Sequence, residues 1–148
     1  NKLSTVSQDK TGGNYYAQYA MGNFKVGYTK GYVEPSKITD KYDTALADTA
    51  TALNGDYYES DGFGIEFAVN DQLSVSFTEE DFSRTDKTMA ATASTNSRST
   101  VTSSQTTIMA AYNIGGATLG LSLIDTDNSD YTNSRDETKS IISLALAF

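Results

Sequence analysis

The chain reads as an all-β protein, an antiparallel transmembrane β-barrel or part of one, and three features of its sequence predict this. Apolar residues recur at every second position in segment after segment, the signature of strands with two different environments. Tight turns rich in Gly and Asn alternate with long polar connections, so one edge of the sheet is trimmed and the other elaborated. The middles of the segments carry few charges, and their polar positions are mostly Gly, Ala, Ser and Thr.

The segments follow in order. The opening KLSTVSQ is irregular and marks at most part of a strand. NYYAQYAM sets Tyr15, Ala17, Tyr19 and Met21 against Tyr16 and Gln18. FKVGYTKGY sets Phe24, Val26, Tyr28 and Tyr32 against Lys25, Gly27, Thr29 and Gly31. GFGIEFAV places Phe63, Ile65, Phe67 and Val69 opposite Gly62, Gly64, Glu66 and Ala68, and QLSVSFTEE places Leu73, Val75 and Phe77 opposite Ser74, Ser76 and Thr78. TTIMAAYN groups Thr106, Ile108, Ala110 and Tyr112 against Thr107, Met109 and Ala111. ATLGLSLID groups Ala117, Leu119, Leu121 and Leu123 against Thr118, Gly120 and Ser122. KSIISLALAF closes the series, with Ile142, Leu144, Leu146 and Phe148 on one face and Ser143, Ala145 and Ala147 on the other. From Lys139 onward its length suits the nine to eleven residues, roughly, that cross a bilayer at a tilt.

Seven strands result, with KLSTVSQ as a candidate eighth. Met21-Gly22-Asn23, Asn70-Asp71 and Asn113-Ile114-Gly115-Gly116 read as hairpin turns. Residues 35–56, 84–103 and 125–137 read as the long connections. Within the first, Leu46, Ala50 and Leu53 have helical spacing and suggest a short amphipathic turn on the rim. The Thr/Ser/Ala-rich run TMAATASTNSRSTVTSS in the second reads as a flexible external loop.

Composition narrows the function. Cysteine and histidine are absent, which removes thiolate chemistry, disulfides, the usual general base and the commonest transition-metal ligand. A net charge of −8 disfavours nucleic acid, whose phosphates need clustered Lys and Arg. Apolar residues make up 38%, yet ten Tyr and six Phe argue against plain disorder. No run approaches the roughly 18 apolar residues of a membrane-spanning helix. Asn1 opens a polar stretch without a signal-peptide pattern, so the chain is expected to be mature after cleavage or to begin partway through a longer protein.

A soluble sandwich also alternates, but it places Lys, Glu and Arg on its wet face. Here the charges gather at strand ends and in connections: Asp40, Asp43 and Asp48; Glu79, Glu80 and Asp81; Asp125, Asp127, Asp130, Asp136 and Glu137. Aromatics on the apolar face sit toward strand ends (Tyr15, Tyr28, Tyr32, Tyr112 and Phe148), where they suit interfacial girdles. The membrane reading therefore assigns Val26, Ile65, Phe67, Val75, Ile108, Leu121, Leu144 and Leu146 to a lipid-facing surface.

The final alternating strand ending in Phe148 resembles the C-terminal signature of Gram-negative outer-membrane proteins, and residues 112–148 are similar to the end of general diffusion porins. The resemblance implies a bacterial outer-membrane location among phospholipid and lipopolysaccharide, and recognition of Phe148 by the barrel-assembly machinery. It also implies a homotrimer and passive diffusion of small hydrophilic solutes and ions through a water-filled channel. No pore-constricting motif of that family is visible in the connections, and 148 residues are fewer than half of a typical porin. Residues 1–148 are thus expected to form a single barrel domain or the C-terminal portion of one.

For a channel, alternation points Gln18, Lys25, Glu66, Glu80, Gln105 and Lys139 into the lumen, where charges tune ion preference; Lys25 and Glu66 are equally suited to pair with each other. No catalytic constellation is present, so an enzyme is not expected. The carboxylate groups Glu79-Glu80-Asp81 and Asp136-Glu137 read as a solvated rim rather than acid/base machinery. Asp125, Asp127, Asn128 and Asp130 approach a calcium-loop spacing but lack its glycine and flanking helices. No cofactor is expected beyond weak screening of the acidic connections by divalent cations. Two rivals remain: a closed eight-stranded barrel with a structural, anchoring or adhesion role, and a soluble β-sandwich binding module.

Overall fold

The computed structural model describes residues 5–7, 9–35, 37–40, 51–89 and 97–146. Nine strands form one antiparallel sheet: β1 (Thr5–Ser7), β2 (Thr11–Met21), β3 (Phe24–Glu34), β4 (Lys37–Asp40), β5 (Thr51–Ala68), β6 (Leu73–Met89), β7 (Ser97–Ile114), β8 (Ala117–Asp127) and β9 (Glu137–Leu146). A 3-10 turn, Ser129–Tyr131, lies between β8 and β9, and there is no α-helix among the described residues.

The nine segments make seven rows. Both β3 and β4 pair with β5, at Val33↔Tyr58 and Thr39↔Asn54, so β4 continues the row of β3 past Pro35. In the same way β1 pairs with β4 and β2 with β3, so β1 prolongs the row of β2. The opening segment is therefore an extension of the first row and not an eighth strand. The rows follow chain order, β2-β3-β5-β6-β7-β8-β9, and among the described residues nothing pairs with the free side of β2 or β9. The sheet is open.

Turn chemistry explains the trimmed edge. Gly22 holds φ +56 and Gly115 and Gly116 hold φ +49 and +92, the left-handed values that two-residue hairpins require. At the third turn the Asn70 carboxamide accepts from Gln72 N and Leu73 N, both at 2.9 Å, and closes the loop without glycine.

On the other edge the strands run longer than their alternation suggests. β6 reaches Met89 and β7 begins at Ser97, so most of the connection expected over 84–103 is paired strand, Arg84↔Val101 through Thr88↔Ser97. Strand also occupies 37–40 and 51–56 of the connection expected over 35–56. The helical spacing at Leu46 and Ala50 lies outside the described residues, and Leu53 stands in β5. Cross-strand hydroxyl pairs, Ser83–Thr102 and Thr85–Thr100, each 2.8 Å, tie these extensions together. The register shifts once between Leu53 and Tyr57, around Gly55, whose N–H donates to Asp86 Oδ1 at 2.7 Å.

Almost nothing lies over the sheet. The fully buried side chain among the described residues is a threonine, Thr85, while Ile142, Leu144 and Ile108 are 77%, 65% and 53% exposed. A second layer against an apolar core, as a sandwich would supply, is absent among the described residues.

Candidate functional site

Register separates the two faces. On one, cross-strand lanes run Tyr19–Val26–Ile65–Phe77–Ile108–Leu123 and Phe24–Phe67–Val75–Ala110–Leu121–Ile142, with Leu119 and Leu144 paired beside them and Leu146 next to Ala117. All eight residues assigned to an apolar surface, Val26, Ile65, Phe67, Val75, Ile108, Leu121, Leu144 and Leu146, stand on this face. Phe148 lies outside the described residues. Phe24 stacks on Phe67 at 4.5 Å, and Tyr15 meets Tyr28 at 6.3 Å. Beyond Tyr28 and Phe63 the same face turns charged, with Glu79, Asp61, Asp81, Asp125 and Asp127. The apolar band therefore occupies only the half of the sheet nearest the tight turns.

The opposite face is polar and lined with small residues. Three adjacent lanes cross it: Lys25–Glu66–Ser76–Met109–Ser122, Gln18–Gly27–Gly64–Thr78–Thr107–Ile124–Lys139, and Thr29–Gly62–Glu80–Gln105–Thr126–Glu137. Gln18, Lys25, Glu66, Glu80, Gln105 and Lys139 all point to this face, within those three lanes. Hollows of about 240 to 340 Å³ lie along it, lined chiefly by its residues. Lys25 Nζ reaches Glu66 Oε2 at 3.0 Å while both side chains keep more than two-fifths of their surface exposed. Such a wet pair contributes at most about 1 kcal/mol to folding, so its charges stay open to neighbouring ions. Lys139 Nζ sits 3.0 Å from Glu137 Oε2 along its own strand.

The β8–β9 connection supplies what alternation did not reveal: it folds onto the polar face. The Tyr131 ring covers the Arg84 guanidinium at 5.1 Å and meets Tyr58 edge-on at 6.1 Å. Arg84 pairs with Asp86 at 3.1 Å, and its Nε is buried without a hydrogen-bond partner. Asn128 anchors the loop root, its Nδ2 donating to Thr102 O at 3.0 Å and its Oδ1 accepting from Ser134 N at 2.9 Å. Arg135 bridges Asp130 at 2.7 Å and Glu137 at 3.2 Å.

Holding this shape is costly, because Asn128, Asp130, Tyr131 and Ser134 all take left-handed φ between 51° and 62°. Each costs on the order of 1 kcal/mol, least for Asn and Asp. Tyr131 must repay that by packing. Tyr131→Ala is therefore expected to release the loop and speed trypsin cleavage after Arg135 at least tenfold; an unchanged rate would show that the Asn128 and Arg135 contacts suffice. The one aromatic inside the run TDNSDYTNSRDE was the available sequence signal for this contact.

Burial and the neighbouring Tyr58 raise the Tyr131 phenol above its ordinary value, against the pull of Arg84. Glu137 is held below the usual carboxylate value, first by the hydrogen bond from Lys139 and by its charge, with Ser129 and Arg135 adding to this. A lowered carboxylate stabilises the fold above its unfolded value, and that contribution is lost as pH falls through the folded one. Loop amides should accordingly lose hydrogen-exchange protection in acid, and Glu137→Gln should flatten the dependence. A profile identical in the variant would assign the acid effect elsewhere.

Of the candidate calcium ligands, Asp130 is engaged by Arg135, and Asp125 accepts from Thr138 at 2.8 Å. Among the described residues no three His, Cys, Asp or Glu side chains converge as a metal site. Comparison with known proteins finds no match to a family model, a curated protein or a solved structure.

Proposed function

We propose that this chain forms part of the wall of an outer-membrane β-barrel channel that passes small hydrophilic solutes and ions by diffusion. The observation that carries the reading is the two-faced single-layer sheet: an exposed apolar band on one side, and on the other a polar surface of small and charged residues. An exposed apolar area of this extent is foreign to a soluble monomer. On β8 the outward positions Ala117, Leu119, Leu121 and Leu123 keep the face apolar over about 20 Å of strand, which at a barrel tilt of 35–45° is roughly 14–17 Å of the apolar band of such barrels. Tyr28 and Tyr32 then stand at one interface and Tyr112 at the other, and the polar upper halves of β5, β6 and β7 project into water.

Strand parity bears on size. With seven rows, β2 and β9 run in the same direction, so joining them to each other would make a parallel pair. A closed antiparallel barrel needs an odd number of further strands between them, because open edges are intolerable in hydrocarbon. One more strand gives a small barrel whose interior side chains fill; the small residues of the polar face favour a wider one. Outer-membrane location, assembly through a terminal aromatic strand and trimerisation belong to the same proposal.

The test is the intact mass of the protein extracted in detergent from its source membrane, followed by planar-bilayer recording. A mass at least twice 15.9 kDa with ohmic conductance supports the channel. A mass near that value without conductance favours the small closed barrel, and recovery without detergent would return a soluble fold.

A further inference from the structure

Above the three charged lanes the polar face changes character. The next two lanes run Asn14–Gly31–Ser60–Phe82–Ser103 and Gly12–Val33–Tyr58–Arg84–Val101. Their floor is small: a Cβ on Gly31 would meet Ser60 Oγ at 3.0 Å, and one on Gly12 would meet Tyr32 O at 3.1 Å. Rising from that floor are Tyr58 and Phe82 on adjacent strands, with Tyr131 delivered by the folded loop. Together they border a cleft of about 840 Å³. Asn14 and Ser60 supply hydrogen-bonding groups on its walls, and Lys10 supplies a charge at its border. Arg84, the other nearby cation, is covered by Tyr131 and paired with Asp86.

We infer that this cleft is a binding site for neutral saccharides, a station for a sugar chain entering the channel. Three observations select that class. Of the residues that border the cleft from the polar face, Lys10 alone is charged, so the walls are mainly neutral. Its aromatic rings offer flat apolar faces, to which the C–H face of a pyranose is complementary through the negative ring quadrupole. Its amide and hydroxyl groups match the alternating donors and acceptors around a sugar ring, the usual division of labour between apolar lining and a few polar groups. The glycines let a ligand lie close against the sheet. The inference rests on the channel reading for its route but on the cleft alone for its binding.

The experiment uses the full-length protein in planar bilayers, with maltotriose as probe and poly(ethylene glycol) of equal size as a non-binding occluder. Maltotriose is expected to interrupt the ionic current at concentrations where the polymer does not. Tyr58→Leu and Phe82→Leu keep apolar bulk while removing the ring face, and each should raise the half-blocking concentration about fivefold or more with open-channel conductance retained. Equal block by sugar and polymer, or leucine variants that block like the parent, would overturn the inference. If no current is seen the channel reading fails by itself. Calorimetric titration of maltotriose into the detergent-solubilised protein then decides the cleft, because heat lost on Tyr58→Leu supports it and absence of heat in the parent removes it.

Discussion

Replacing Glu66 by Lys should reduce the cation-to-anion permeability ratio about fivefold or more. In the parent the Glu66 carboxylate lies 3.0 Å from Lys25 Nζ, and both groups remain wet. The substitution removes one negative charge, adds a positive one and leaves Lys25 facing a like charge on the next strand. A unit charge about 4 Å from a passing ion in water is worth about 1 kcal/mol, which is roughly a fivefold change in relative occupancy. Glu66→Gln, which removes one charge without adding another, should give a smaller shift in the same direction. Because the exposed pair adds little to stability, unfolding should move far less than selectivity. The exchanged pair, Lys25→Glu with Glu66→Lys, restores the local charge and should return the ratio toward that of the parent. Reversal potentials in a salt gradient make the measurement. An unchanged ratio in Glu66→Lys would take Glu66 out of the water path and leave the pair a purely structural contact.

How much of this arrangement could be read from the chain depends on what each residue faces. Where one strand face meets an apolar environment and the other water, the period of two is written into the sequence. That is why the faces of Val26, Ile65 and Leu121, and of Lys25 and Glu66, follow from parity. The turns are legible for a similar reason, since Gly115-Gly116 is the cheap solution for two successive left-handed residues. The upper halves of the strands were not legible. On β6, Glu79, Asp81, Ser83 and Thr85 alternate with Glu80, Phe82, Arg84 and Asp86, so both faces are polar and the period vanishes. Backbone pairing and the Ser83–Thr102 and Thr85–Thr100 bonds hold that region, and neither leaves a mark on hydropathy. The inward loop is a tertiary fact: Tyr131 finds Arg84 and Tyr58 across some fifty and seventy residues, respectively, and local pattern carries no trace of that meeting. The same limit explains why a composition like a calcium loop turned out to spend Asp130 on Arg135.

The strongest effect on folding is expected at the centre of the apolar band. Leu121 lies between Ala110 and Ile142 in its lane, its side chain outward and 45% exposed. If that surface faces hydrocarbon, Leu121→Arg places a guanidinium near the bilayer midplane at a cost of roughly 2–4 kcal/mol. That lowers the folded-to-unfolded ratio in lipid vesicles about 30- to 1000-fold. Ser122→Arg, one residue along on the polar face between Met109 and Ile141, reaches water and should cost no more than about 1 kcal/mol. The contrast between neighbours decides the matter, because both substitutions place the same guanidinium on one strand, one residue apart and on opposite faces. Unfolding by guanidinium in vesicles, followed by the heat-sensitive gel mobility of folded barrels, gives both values on one scale. If Leu121→Arg is the milder change, the apolar face sees water or protein instead of lipid. The sheet would then need a covering partner on its apolar side, and the channel reading would lose the observation that carries it.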